Sequence, residues 1–299
     1  MPTPLKDKLI VLVAPTGYQT PREGGPYVPI TPEEIADDVF SCYQAGASIA
    51  HIHAKDTKTQ LITPDLSVYG DVYRKIRDKC NIIIESTSAI ASWIDPITNK
   101  RIRASEEQRL GLLDVDPPPD MIPTVMGSID VHYSDKSHST FLNTPDFLRK
   151  IIPAIVERKI GWEWEVWDVG FLYNGLRLAE AGVFDKTMPF LLHYVMEYGG
   201  HPATARQIVY ISEEGKRLFP QATWEISARH KNIFSTLTLG MSLGCNVLRV
   251  GFEDNIFLPN GAIAKYNVEL VDSVVRIARD LGREIATVDE ARTILSLPR

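Results

Sequence analysis

The sequence predicts a single (β/α)8 TIM barrel spanning residues 1–299, and three observations predict it. Short β-branched apolar runs alternate with amphipathic helical stretches from one end of the chain to the other, the pattern of a parallel sheet with covering helices. Eight such runs can be counted, and no shift in composition divides them. A chain of 299 residues often forms two domains, but α/β barrels of roughly 250 residues form one.

The eight runs are Leu9–Ala14, Ser48–His53, Asn81–Ser86, Met121–Met126, Trp162–Trp167, Pro189–Tyr194, Ala222–Ile226 and Asn246–Gly251. Between them, helices announce their ends. Thr31-Pro32-Glu33-Glu34 is a capping box with proline in the first turn; Ile35, Val39 and Cys42 follow on one face, and Gly46 stops the helix. Val268, Val271, Val275 and Ala278 keep helical spacing up to Gly282, and Thr287-Val288-Asp289-Glu290 opens a short terminal helix. Two long stretches without periodicity, Ser88–Ala104 and Ser128–Thr144, follow runs three and four, on the face where such barrels carry their active sites.

Composition narrows the function. With 44% hydrophobic and 23% charged residues the chain can bury a full core. A formal charge of −6 gives no basic footprint for nucleic acid or an anionic membrane. Polar residues interrupt every apolar run short of the ~18 residues a membrane span needs. The start, Met1-Pro2-Thr3-Pro4-Leu5-Lys6, lacks the apolar core of a signal peptide, so the expectation is a cytoplasmic protein. Cys42, Cys80 and Cys245 are odd in number and widely spaced, which suits reduced core thiols.

The chemistry gathers at run ends. In His51-Ile52-His53 the two imidazoles are two residues apart, so on a strand they face the same way and can present themselves to one metal ion. The bland alternative is one packed and one solvent-facing histidine, or a pair satisfied by backbone carbonyls. Run eight leads into Glu253-Asp254-Asn255, where one carboxylate would complete a two-histidine, one-carboxylate site with positions left open for substrate; the alternative is a polar turn. Glu163 and Glu165 lie inside run five, where a carboxylate is unfavourable unless it meets a cation or donors, so at least one is a site candidate. Ser86-Thr87 closes run three. Gly199-Gly200 precedes a helix and reads equally as an anion nest and as a tight turn. His201 and His230 are lesser candidates.

Several of these pieces together resemble the β-keto acid cleavage enzymes, whose founding member cleaves 3-keto-5-aminohexanoate. The resembling stretches are Ala14-Pro15-Thr16-Gly17, Ile30-Thr31-Pro32-Glu33-Glu34, Ala45-Gly46-Ala47 with His51-Ile52-His53, Trp164-Glu165-Val166, Gly199-Gly200-His201-Pro202-Ala203-Thr204, Ala222-Thr223-Trp224 and Arg249-Val250-Gly251-Phe252-Glu253-Asp254-Asn255. The resemblance implies a barrel, a homotetramer, and one zinc ion held by His51, His53 and Glu253. It also implies a reaction: a β-keto acid and acetyl-CoA give acetoacetate and a new acyl-CoA. Arg249 and Asp254 match the pair that removes the proton between the two carbonyls, and Ser86 matches a serine near the reacting groups. Thr16, Thr87, Glu165, Gly199, Gly200 and Asn255 complete the expected substrate contacts.

Two departures bear on the substrate. The founding member has a glutamate shortly after its first Thr-Gly, where this chain reads Thr16-Gly17-Tyr18-Gln19, which points to a substrate without the same ammonium group. After run four, Pro123-Thr124-Val125-Met126-Gly127-Ser128 replaces a Thr-x-Asn pattern, with Thr124 or Ser128 filling part of the role. Tyr18, Tyr27 and the run-five tryptophans line an apolar or cation–π pocket, or serve packing. The competing readings are a metal-dependent aldolase or metallohydrolase that uses no CoA, and a metal-binding barrel without chemistry. Amidohydrolase-type His-x-His belongs to a first strand; here a whole strand–helix unit precedes it.

Overall fold

The computed structural model describes residues 4–17, 25–88, 90, 92–94, 101–132, 138–229 and 233–298. In chain order the strands are β1 (Ile10–Val13), β2 (Ile49–Ile52), β3 (Ile83–Ser86), β4 (Ser92–Ile94), β5 (Arg101–Arg103), β6 (Met121–Val125), β7 (Ile129–His132), β8 (His138–Phe141), β9 (Gly161–Val166), β10 (Leu191–Met196), β11 (Thr223–Ala228) and β12 (Val247–Val250). Strands β1, β2, β3, β6, β9, β10, β11 and β12 pair in parallel in that order, and β12 returns to β1 to close the barrel. The helices are α1 (Pro32–Ala45), α2 (Leu66–Lys79), α3 (Glu106–Gly111), α4 (Pro145–Glu157), α5 (Val169–Glu180), α6 (Ala205–Leu218), α7 (Ile233–Ser242), α8 (Asn267–Asp280) and α9 (Val288–Ile294). The fold is the TIM barrel that the sequence predicts, and every predicted run overlaps its strand.

The helix signals act as read. Thr31 Oγ1 accepts from the Glu34 amide at 3.1 Å and Glu34 Oε2 accepts from the Thr31 amide at 3.0 Å. Gly46 and Gly282 take the left-handed φ values of 116° and 75° that end α1 and α8. The two long stretches differ from expectation. Neither is wholly irregular, because each contains an antiparallel hairpin, β4–β5 and β7–β8. The ladder satisfies backbone groups that a long bare loop would leave to water.

Strand alternation sorts the barrel into inside and outside. At the amino end the interior is apolar: Ile10, Leu12, Ile49, Ile83, Met121, Leu191 and Val247 pack with Ala286, Val288, Ala291 and Leu295, so α9 plugs the floor. Hydrogen bonds fix that plug, from the Ala286 amide to the Leu9 carbonyl at 2.8 Å and from Ser48 Oγ to the Ala286 carbonyl at 2.7 Å. One step further along the strands the interior becomes polar, with His51, Glu85, Glu163, His193, Glu225 and Arg249 all buried. Trp162 and Trp164 take the opposite face of β9, and Trp164 stacks on Phe190 at 4.4 Å in the layer beneath the helices. They serve packing. Cys42, Cys80 and Cys245 are free thiols, as expected.

A buried bracket joins the first and last barrel strands at their carboxyl ends. Asn267 donates to the Pro15 carbonyl at 2.9 Å and to Asp38 Oδ2 at 2.8 Å, and its Oδ1 accepts from the Phe252 amide at 2.8 Å. This ties the loop after β1 to the loop after β12. Burial pushes the Asp38 carboxyl up to about 7 against the Asn267 hydrogen bond. The folded state therefore favours the protonated acid. Its stabilising contribution is full below the ordinary value of 3.8 and lost as pH rises through about 7. The amount involved is about 4 kcal/mol, at 1.36 kcal/mol per pKa unit. Asp38→Asn should keep the acceptor and remove this slope, so denaturant melts should show the variant gaining on the wild type between pH 4 and pH 8. An identical difference at both values would refute the assignment.

Candidate metal centre and acid–base pair

The carboxyl ends of β2 and β12 bring together the residues that the sequence singled out. His51 and His53 are both buried and their rings lie 5.2 Å apart. Glu253 reaches between them, with Oε1 3.3 Å from His53 Nε2 and Oε2 3.7 Å from His51 Nε2. Gly17 makes room for it: a Cβ there would lie 2.2 Å from Glu253 Cγ. Gly251, at φ 139°, bends the chain out of β12 so closely that a Cβ would lie 2.1 Å from the Ala14 carbonyl oxygen.

The donor set suits a divalent cation. One potential ligand atom from each of His51, His53 and Glu253 lies within 4.8 Å of the others. Glu253 Oε2 is buried and has no hydrogen-bond partner among the described residues. His51 Nδ1 lies 2.6 Å from Glu85 Oε1, which leaves Nε2 as the ring nitrogen facing Glu253. A carboxylate behind a histidine is the arrangement that fixes ring orientation and tautomer at metal sites. Burial lowers the His53 imidazole, although Glu253 pulls the other way, and the neutral ring is the form that binds metal.

Beside this cluster, Arg249 and Asp254 form a bidentate pair, at 2.8 Å from Nε and 3.2 Å from Nη2. Arg249 Nη2 also reaches Glu253 Oε1 at 3.0 Å. Burial opposes the guanidinium charge, but Asp254 and Glu253 outweigh it and raise its pKa. Burial likewise opposes the Glu253 charge, and Arg249, His53 and His51 more than reverse this, holding it far below the usual carboxylate range. Tyr198 donates to Asp254 Oδ1 at 2.6 Å, and Arg229 lies over the Tyr198 ring at 3.6 Å.

The expected substrate contacts divide. Thr16 Oγ1 is buried and has no hydrogen-bond partner among the described residues. Glu165 is raised by burial in spite of nearby Arg249 and His51, and its Oε2 accepts from Trp167 Nε1 at 3.0 Å. Thr87 is buried two residues beyond Glu85, on the interior side by alternation. Ser86, one residue earlier, takes the other side. Its hydroxyl donates to the Thr87 carbonyl at 3.2 Å, so the structure does not turn it toward the cluster. Asn255 spends its amide on Phe257, donating to the carbonyl at 2.6 Å and accepting from the amide at 3.1 Å.

Turn geometry accounts for the glycine pair. A Cβ on Gly199 would lie 2.4 Å from the Asp130 carbonyl oxygen, and one on Gly200 1.6 Å from that of Trp167. Thr204, with its Oγ1 accepting from the Gln207 amide at 3.4 Å, caps α6. His201 Nε2 accepts from the Val169 amide at 3.0 Å, a structural role. Thr124 pairs in register with outward-facing Trp164, and Ser128 Oγ accepts from the Asn143 amide at 3.0 Å. Tyr27 lies at the surface against Tyr266. Tyr18, Gln19 and His230 lie outside the described residues.

Sequence reasoning missed Glu85, His193, Glu225 and Tyr198. The first three carried a usable signal, since each is an ionisable residue on an otherwise apolar strand, in phase with a recognised interior residue. His51 pairs with Glu85 across β2–β3, and His193 pairs with Glu165 and Glu225 across β9–β10–β11. Tyr198 carried none, because its partner Asp254 lies on a distant loop.

A family model described as beta-keto acid cleavage enzyme matches residues 8–297. The chain belongs to that family. Among relatives of the β-keto acid cleavage enzyme kind, a 3-keto-5-aminohexanoate cleavage enzyme of Fusobacterium nucleatum is 34% identical over 299 residues, covering 99% of this chain and 100% of its own. A 3-oxoadipate:acetyl-CoA acetyltransferase of Cupriavidus necator is 28% identical, covering 97% and 95%. The apo structure of ObcA superposes with a TM-score of 0.76 at 18% identity, over 91% of this chain and 66% of that one, which supports the fold. Membership makes the chain an enzyme of β-keto acid cleavage. Among the described residues no helix is long and apolar enough to cross a membrane.

The geometry makes Gly17→Ala a probe of the cluster. The methyl group should push Glu253 off the histidines and weaken metal binding at least about tenfold, since core volume changes of one methyl are felt. Circular dichroism should stay unchanged. Chelator competition decides, and an unaltered affinity would separate Glu253 from the centre.

Proposed function

We propose that this enzyme is a zinc-dependent β-keto acid:acetyl-CoA acyltransferase that yields acetoacetate and a new acyl-CoA, with the metal held by His51, His53 and Glu253. The observation that carries the reading is the convergence of those three side chains beside the Arg249–Asp254 pair. Names of relatives support the co-substrate: a 3-oxoadipate:acetyl-CoA acetyltransferase and a 3,5-dioxohexanoate:acetyl-CoA acetone transferase of Paraburkholderia graminis.

Charge balance supports a dication. Glu85 and Glu253 are held ionised, Glu85 chiefly because its bond to His51 overcomes burial, and Asp254 is paired with Arg249. These carboxylates outnumber the buried cations around them, the Arg249 guanidinium and the Lys55 ammonium that Glu253 attracts. A divalent ion would offset the excess and would supply Lewis-acid charge where an enolate develops.

The chain's own residues do the rest. Asp254 takes the proton from the carbon between the two carbonyls; Arg249 and Tyr198 hold its carboxylate in place and keep it from turning toward the metal ligands. Buried walls exclude water, so the carbanion meets the thioester carbonyl of acetyl-CoA. A carbon–carbon bond forms, CoA migrates within the adduct, and retro-Claisen cleavage releases acetoacetate and the new acyl-CoA. Thr16 and Glu165 are the polar groups assigned to substrate.

Asp254→Asn should keep the metal and lose turnover by at least about a hundredfold, the lower range for general-base removal, whereas His53→Ala and Glu253→Gln should each lose metal with the fold intact. Metal analysis beside circular dichroism checks this, and a metal-free, fully active His53→Ala would refute the ligand set. The substrate is found by offering the metal-loaded enzyme a panel of β-keto acids with and without acetyl-CoA, following acetoacetate and acyl-CoA by mass spectrometry. Cleavage that proceeds equally without CoA would move the assignment to an aldolase.

A further inference from the structure

One buried cation beside the histidines has donors to spare. Lys55 is 3% exposed and is the only buried lysine among the described residues. Lys8, Lys75, Lys79 and Lys150 each meet a carboxylate at or near the surface. Among the described residues Lys55 makes no ion pair, and its Nζ has one hydrogen bond, a long one of 3.4 Å to the Gln60 carbonyl. An ammonium carries three N–H donors and loses its hydration on burial, so donors left without acceptors are costly.

Backbone contacts place that ammonium. Beyond β2 the chain runs on to an antiparallel bridge between Lys55 and Ile62, so Lys55 shares the face of His51 and His53 by alternation. Glu253, between the two imidazoles, attracts the ammonium. The loop that follows is built without it. The Asp56 amide donates to the Leu61 carbonyl at 2.9 Å, the Thr63 amide to the Ala54 carbonyl at 3.1 Å, and Asp56 Oδ1 accepts from the Thr59 amide at 2.7 Å. On the neighbouring strand, the register of Val13 with Ala50, carried three residues on, sets Thr16 level with His53. Two unspent donors, Thr16 Oγ1 and Lys55 Nζ, therefore flank the histidines at the β1–β2 edge of the barrel mouth.

We propose that Lys55 is a substrate-binding residue of this site: its ammonium donates to the carboxylate of the β-keto acid, with Thr16 donating beside it. This rests on the functional reading above. A β-keto acid carries its carboxylate on the carbon that loses the proton. A cation at that carboxylate holds the acid in place and lessens the repulsion between the carboxylate and the enolate as its charge develops.

Lys55→Met keeps the stem and removes the donors. The zinc-loaded, full-length wild type and variant are compared by calorimetry for two ligands. Acetoacetate is offered without CoA, so that no turnover follows; methyl acetoacetate has the same keto group and no charge. Zinc affinity is read by chelator competition. Lys55→Met should weaken acetoacetate roughly 10- to 100-fold, the range for hydrogen bonds to charged groups, and leave methyl acetoacetate and zinc within about twofold. Unchanged acetoacetate affinity overturns the proposal, as does equal weakening of acid and ester, the mark of a loop-packing role. Should Lys55→Met fail to fold or to load zinc, Lys55→Gln replaces it. The amide keeps a donor without the charge, and should cost the acid about fivefold and the ester nothing. No loss for the acid, or the same loss for both, again overturns the proposal. A zinc-loaded wild type that binds no acetoacetate overturns the functional reading itself, whereas the earlier results strike the role of Lys55 alone.

Discussion

Arg249 lies buried on the last barrel strand with Asp254 on one side of its guanidinium and Glu253 on the other. A cation in that position decides the state of everything around it. It holds Glu253 ionised in surroundings that would otherwise neutralise it, and it binds Asp254 through two hydrogen bonds. It sets Glu253 facing the histidines and Asp254 facing Tyr198, so that the proposed ligand and the proposed base, adjacent in sequence, point in different directions.

The same electrostatics reaches down the barrel. Glu85, Glu163 and Glu225 are too close together and too dry to ionise together. Glu85 stays charged because His51 meets it, while Glu163 and Glu225 are pushed up by burial and by Glu85. Below this layer the interior turns apolar and α9 closes it. The rigid floor matters for the upper layer, since the polar groups keep their geometry only on strands whose register is fixed.

Much of this was legible before the fold was known. The eight runs, the capping boxes and the glycine stops gave the barrel because strand and helix periods are local properties. His51 and His53 were legible for the same reason: two residues apart on a strand means one face. Ser86 shows where local reading ends. It lies at a strand end and matches a family serine, yet alternation from Glu85 turns it to the other side, where its hydroxyl donates to the Thr87 carbonyl. Glu85 has the better phase and was passed over. The hairpins β4–β5 and β7–β8 also escaped, because short ladders at a barrel rim carry little apolar periodicity.

Glu253-Asp254-Asn255 is the hardest case for any reading by composition. Three similar polar groups in a row take three unrelated places: the proposed ligand among imidazoles, the proposed base clamped by a guanidinium and a phenol, and a turn built on Phe257. What separates them is backbone direction at Gly251, where φ of 139° aims the chain across Ala14. A Cβ at Gly251 or at Gly17 would rearrange the row without touching a charge. The chemistry of this site thus depends as much on two positions that carry no side chain as on the residues that bind and react.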